Sequence, residues 1–207
     1  MAVLCQHGNT LIGTTSVLIR ENEWRKITMT KTQLKIIARI INQTNANQKT
    51  KSMFNVINAN AYFTPDGMVG YKLPMDILYD VEEAHGITIP EASGSETIYN
   101  AIERADISIC YYTGLNAKEF LAELKAFCKQ TDNSSEKPVY KIQLKDRLHA
   151  YQAEYIIDAL TILGNKSLIY MMDETFGNMY ISSEVGDAVI LPRRIYPSDE
   201  ADKVILL

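Results

Sequence analysis

Apolar and polar positions switch between two periods along this chain, and each switch marks an element. VLCQHGNTLIGTTSVLIREN, residues 3–22, predicts short β segments, with β-branched and apolar residues on either side of a Gly8-Asn9 turn signal. WRKITM, residues 24–29, predicts a strand of mixed polarity. It runs into TKTQLKIIARIINQ, where Leu34, Ile37, Ala38 and Ile41 recur at i, i+3, i+4 and i+7. Thr30 and Gln33 have the spacing of a capping box, so an amphipathic helix is predicted to begin here, with Lys31, Lys35 and Arg39 on its exposed side. After the polar stretch NQTNANQKTK, the runs SMFNVIN and NAYFTPDGMVGYKLP predict strands, with Pro65-Asp66-Gly67 as a hairpin turn.

The same order returns in residues 139–195. VYKIQL predicts a strand, and AYQAEYIIDALTIL a helix with Ile156, Ala159, Leu160 and Leu163 on one face. SLIYMM, NMYISS and DAVILP predict three further strands, separated by Asp173-Glu174 with Gly177 and by Glu184-Val185-Gly186. Both copies run from their helix to a terminal Leu-Pro, Leu73-Pro74 and Leu191-Pro192, which reads as an internal duplication. Between them, MDILYDVEEAHG and SETIYNAIERA predict helices, with Gly86 as a stop and Ser95 as an N-cap. ISICYY predicts a strand, NAKEFLAELKAFCK a helix capped by Asn116 with Glu119, and TDNSSEKP a linker. Four parts result: N-terminal β segments 1–23, a first repeat 24–74, a mostly helical insertion and linker 75–138, and a second repeat with a tail 139–207.

Composition narrows the function more than the fold. With 46% hydrophobic and 22% charged residues among 207, the chain has the make-up of a globular protein. A net charge of -4 argues against a nucleic-acid binder basic over its whole surface and leaves room for a local basic face. Cys5, Cys110 and Cys128 are odd in number and lie in apolar stretches, which predicts free buried thiols. With no basic, apolar leader and no run of about 18 apolar residues, the expected setting is cytoplasmic, with no membrane partner.

The chemistry-bearing residues do not converge on a catalytic pattern. His7, His85 and His149 lack the companions of a zinc site, and Glu82, Glu83 and His85 point in different directions on a helix, so no metal is expected. Asp173 and Glu174 fall in a predicted turn, and Ser93-Gly94-Ser95 lacks the preceding strand of a nucleophile elbow. Neither phosphate-cradling glycine motif is present, and no cofactor is expected. Lys118, Lys125 and Lys129 alternate with Glu119 and Glu123, the pattern of a salt-bridged surface. Binding of other macromolecules is favoured over catalysis.

RLHAYQAEYIIDALTILGNKSLIYMMDETFGNMYISSEVGDAVILPRRI, residues 147–195, resembles the final half-domain of the bacterial β sliding clamp, the DNA polymerase III beta subunit. The shared order is a Tyr-Ile-Ile-Asp-Ala-Leu helix, a strand, an acidic turn, a strand and a closing Val-Ile-Leu-Pro-Arg-Arg-Ile. The resemblance implies an α+β fold of repeated βαβββ units, with helices on one face of an antiparallel sheet and residues 75–138 as a helical insertion. It further implies two surfaces. One is a helix face touching DNA without reading sequence, here Lys31, Lys35 and Arg39, although the last helix places Glu154 and Asp158 on its exposed side. The other is a pocket for a short linear motif of a polymerase-like protein partner, walled by Val189, Leu191, Pro192, Arg193, Arg194 and Ile195. The apolar Val204-Ile205-Leu206-Leu207 end has three readings: occupying such a groove, binding a partner's groove, or closing a sheet edge. An alternative function follows from it, assembly into a homo-oligomer through a sheet edge and this tail.

Overall fold

A computed structural model describes residues 28–47, 53–93, 97–103, 110–131, 138–172, 177–195 and 204–206. The expectations for residues 1–27, for the turn at Asp173 and Glu174, for the Ser95 cap and for most of the linker and tail lie outside these residues.

Helix α1, Lys31–Asn47, begins at the capping box. The Thr30 backbone N–H donates to Gln33 Oε1 at 2.8 Å, and the Gln33 N–H donates back to Thr30 Oγ1 at 3.3 Å. Its apolar stripe, Ile37, Ala38, Ile40 and Ile41, is buried. The chain then forms an antiparallel meander of β1 (Met53–Ile57), β2 (Asn60–Thr64) and β3 (Val69–Pro74). At the β2–β3 turn, Asp66 Oδ1 accepts the Met68 N–H and Gly67 takes a φ of 80°, a conformation that favours glycine. Helix α2 (Met75–His85) stops at Gly86 in the left-handed region, and α4 (Ala117–Thr131) starts at Asn116, whose Oδ1 accepts the N–H groups of Lys118 and Glu119. Between them, the described residues form α3 (Thr97–Glu103) and β4 (Tyr111–Tyr112).

The second repeat differs from the sequence reading at its start. Residues 150–152, expected as the start of the helix, instead belong to β6 (Arg147–Gln152), a hairpin partner of β5 (Val139–Leu144). Helix α5 spans Ala153–Leu163. Ala150 and Tyr151 suit either state by local preference, and the β5 ladder decides between them. A second meander follows: β7 (Leu168–Met172), β8 (Asn178–Ser182) and β9 (Asp187–Ile190).

The two meanders share one sheet, in the order β1-β2-β3-β9-β8-β7-β4, joined antiparallel where Gly70 faces Val189 and Tyr71 faces Ala188. Outward from the β3/β9 seam each meander runs from its third strand to its first, with β4 added beyond β7 at one edge, so the two meanders repeat one topology. Alternate residues of the sheet, among them Phe63, Tyr71, Ile181 and Ile190, form the core with α1 and α5, which lie side by side over the seam, flanked by α2 and α4. The opposite face is covered in part by α3, whose Ile102 packs on Tyr62, Tyr180 and Val189. Four of the five described helices therefore lie on one face, and the insertion supplies the fifth to the other. The tail resolves the three readings of its apolar end. Val204–Leu206 forms β10, which pairs in parallel with β5 and closes an edge of a small sheet ordered β10-β5-β6.

Candidate functional site

Strand β9 places Val189 on the outer face of the sheet and Ile190 on the inner, as strand alternation requires. Beyond it the chain is pinned twice. The Leu191 N–H donates to Met68 O and the Arg193 N–H donates to Ala150 O, both at 2.8 Å, which carries the segment from the large sheet to β6. Val189 and Leu191 thereby become one side of an apolar groove of about 90 Å³ whose other walls include Met53, Met68 and Ile102. Of the residues expected from the sequence, these two are brought together. Pro192 and Arg193 are half-buried and Arg194 and Ile195 exposed, and all four run on past the groove.

Ile102 and the two methionines were not legible as groove residues. Their local pattern marks only apolar positions, and the sheet and α3 bring them to Val189 and Leu191 across sequence separations of 87 to 138 residues.

Helix α3 is held over the sheet by a charged clasp. Glu103 Oε1 accepts from the Tyr62 hydroxyl at 2.7 Å and from Lys72 Nζ at 2.5 Å, and Tyr99 packs edge-on to Tyr62 with ring centroids 5.2 Å apart. The hydrogen bonds from Lys72 and Tyr62 hold the Glu103 carboxyl below its ordinary value of 4.5, while burial and then the Glu103 bond push the Tyr62 hydroxyl up. A carboxyl depressed in the folded state contributes fully above its ordinary value and loses that contribution as pH falls through the lowered one. Acidification below about pH 4 is therefore expected to strip hydrogen-exchange protection from the α3 amides before those of α1 and α5.

The helical face has a different character. Lys31 and Lys35 are exposed, while Arg39 reaches across to α5, its Nη1 donating to Glu154 Oε1 at 2.9 Å and its Nη2 to both oxygens of Asp158 at 2.6 Å. Asp158, expected on the exposed side, is only 8% exposed because α1 packs against α5 and lays Arg39 over it. Burial opposes the Arg39 charge, and Asp158 with Glu154 more than offsets this, so its pKa rises. Across α1, α2, α4 and α5 there are six Lys and Arg against eight Asp and Glu, so the layer as a whole is not basic. Among the described residues no three His, Cys, Asp or Glu side chains are grouped to hold a metal ion, and no helix is long and apolar enough to cross a membrane.

No family model and no curated protein matches this chain by sequence. The two-fold sheet with its paired helices does have a counterpart among solved structures. The fold is clamp-like. A candidate DNA polymerase III beta subunit from Eubacterium rectale ATCC 33656 is similar over 82% of this chain, with a TM-score of 0.50 and 15% identity. This chain spans 65% of the length of that protein. The DNA polymerase III beta subunit of Thermotoga maritima aligns over 84% of this chain and 69% of its own, with 11% identity and a TM-score of 0.44. As a fold, the likeness covers 82% of the chain and so reaches well beyond residues 147–195.

Proposed function

We propose that this chain is a clamp-like binding protein that captures a short apolar linear motif of a protein partner, polymerase-like in kind, in the groove beneath α3, without catalysis. The observation that carries this reading is the convergence of Val189 and Leu191 with Met53, Met68 and Ile102 in one apolar groove on the outer face of the sheet. Two flexible thioether side chains suit it to accept more than one aliphatic or aromatic anchor. Its volume holds one or two such side chains, the scale of a short motif rather than of a folded domain. A cytoplasmic setting in DNA replication fits this reading.

DNA stands second as a partner. Lys31 and Lys35 offer phosphate contacts without base readout, while Arg39 is engaged by α5 and the surrounding helices carry more acid than base. Assembly through the tail is less favoured, because Val204–Leu206 pairs within the chain.

The test is fluorescence anisotropy with a labelled clamp-binding peptide. A Kd on the order of 10 μM is expected. Leu191→Asp, which sets a charge in the apolar wall at a half-buried position, should weaken binding at least about tenfold, while Lys31→Ala/Lys35→Ala leaves it unchanged. Absence of binding at high micromolar peptide opposes the reading.

A further inference from the structure

A second cavity lies on the other side of the sheet. Between α1 and α5, above the β2–β3 turn, a space of about 150 Å³ is lined by groups that include Arg39, Gln43, Asp66, Tyr71, Tyr155 and Asp158. Tyr71 is fully buried at the sheet seam, its ring stacked on Phe63 with centroids 5.4 Å apart, and its hydroxyl has no hydrogen-bond partner among the described residues. Such a hydroxyl costs stability unless something in the cavity meets it. The charged groups and the second hydroxyl around it are bonded. Asp66 accepts from the Met68 N–H and from the Tyr155 hydroxyl, and Asp158 and Glu154 accept from Arg39.

Charge and size select the kind of group that fits. Asp66, Glu154 and Asp158 set three carboxylates against one guanidinium, leaving an excess of negative charge beside the idle hydroxyl. Carboxylate oxygens keep lone pairs for further donors after their present bonds are counted. A single ordered water needs only about 10–15 Å³ on the same measure, roughly a tenth of this space. The side chains of Arg39 and Glu154 are 41% and 40% exposed, so the cavity opens to solvent between the two helices.

We propose that this cavity binds a primary alkylammonium group, from a free small amine or from a lysine side chain of a partner, with Tyr71 Oη and the Asp66 and Asp158 carboxylates as acceptors. The group donates hydrogen bonds to the otherwise unmet hydroxyl and balances the acidic wall. The site lies on the opposite face of the sheet from the apolar groove and does not depend on it.

The experiment titrates the intact chain with n-butylammonium, n-butanol and a lysine capped at both backbone ends, following tyrosine ring resonances by NMR. Butylammonium is expected to bind with a Kd below about 1 mM, and butanol at least about tenfold more weakly. Tyr71→Phe keeps the ring and removes the hydroxyl. It should weaken butylammonium at least about tenfold while the free protein resists urea at least as well as the parent, since the lost hydroxyl was unsatisfied. Asp66→Asn, at a half-buried turn position outside the core, should weaken it similarly. Binding of capped lysine assigns the site to a partner's side chain, and binding of butylammonium alone assigns it to a free amine; both support the proposal. Equal affinity for butanol, undiminished affinity in Tyr71→Phe, or no binding at about 10 mM amine overturns it.

Discussion

Gly186→Ala is expected to destabilise the chain by about 3 kcal/mol, a large loss for one added methyl. A Cβ at Gly186 would stand 2.2 Å from the backbone oxygen of Lys72 and 3.0 Å from Leu73 Cδ2, and the first of these cannot swing aside. Gly186 closes the β8–β9 turn, its carbonyl accepting the Ser183 N–H, and the next residue, Asp187, faces Lys72 across the seam. Relieving the clash therefore pushes β9 away from β3, the contact that makes one sheet of two meanders. Gly164→Ala serves as the control. Gly164 has a φ of 91°, yet its added Cβ meets nothing within 4 Å, so only backbone strain of about 1 kcal/mol is expected. Urea denaturation should show a much lower midpoint for Gly186→Ala than for Gly164→Ala, with similar slopes.

Arg39→Ala is expected to cost about 2–3 kcal/mol, because it removes the guanidinium that meets both oxygens of Asp158 where that carboxylate is only 8% exposed. The double variant Arg39→Met/Asp158→Leu should recover most of that loss, since an apolar pair of similar volume removes the desolvation cost of both charges. A double-mutant cycle with Arg39→Ala and Asp158→Ala should return a coupling above about 1 kcal/mol. If Arg39 instead acted as a solvated surface cation, Arg39→Ala would fall within about 0.5 kcal/mol of the parent.

These effects mark the boundary of what the sequence can show. Thr30 with Gln33, Gly86 and Asn116 are local signals, each read by its own backbone within three or four residues, and each forms the cap or stop expected of it. The duplication was legible because strand and helix periods repeat in the same order, and the clamp-like fold follows that order. The engagement of Arg39 was not, because its partners lie 115 and 119 residues away on another helix and only the packing of α1 on α5 joins them. The same holds for the groove. Val-Ile-Leu-Pro announces one wall, while Ile102 comes from an insertion whose docking on the outer face no local pattern encodes. β6 was missed because its residues suit a helix lead-in as well as a strand until β5 is placed beside them.

Methionine-methyl and Ile/Leu/Val-methyl NMR during titration with an unlabelled clamp-binding peptide addresses the central claim most directly. Resonances of Met53, Met68, Ile102, Val189 and Leu191 are predicted to shift together and to saturate together, leaving those of Ile37, Ile156 and Leu160 beneath the helical face in place. A flat titration at millimolar peptide, or shifts gathered at the helices while the five groove methyls stay still, would contradict the account.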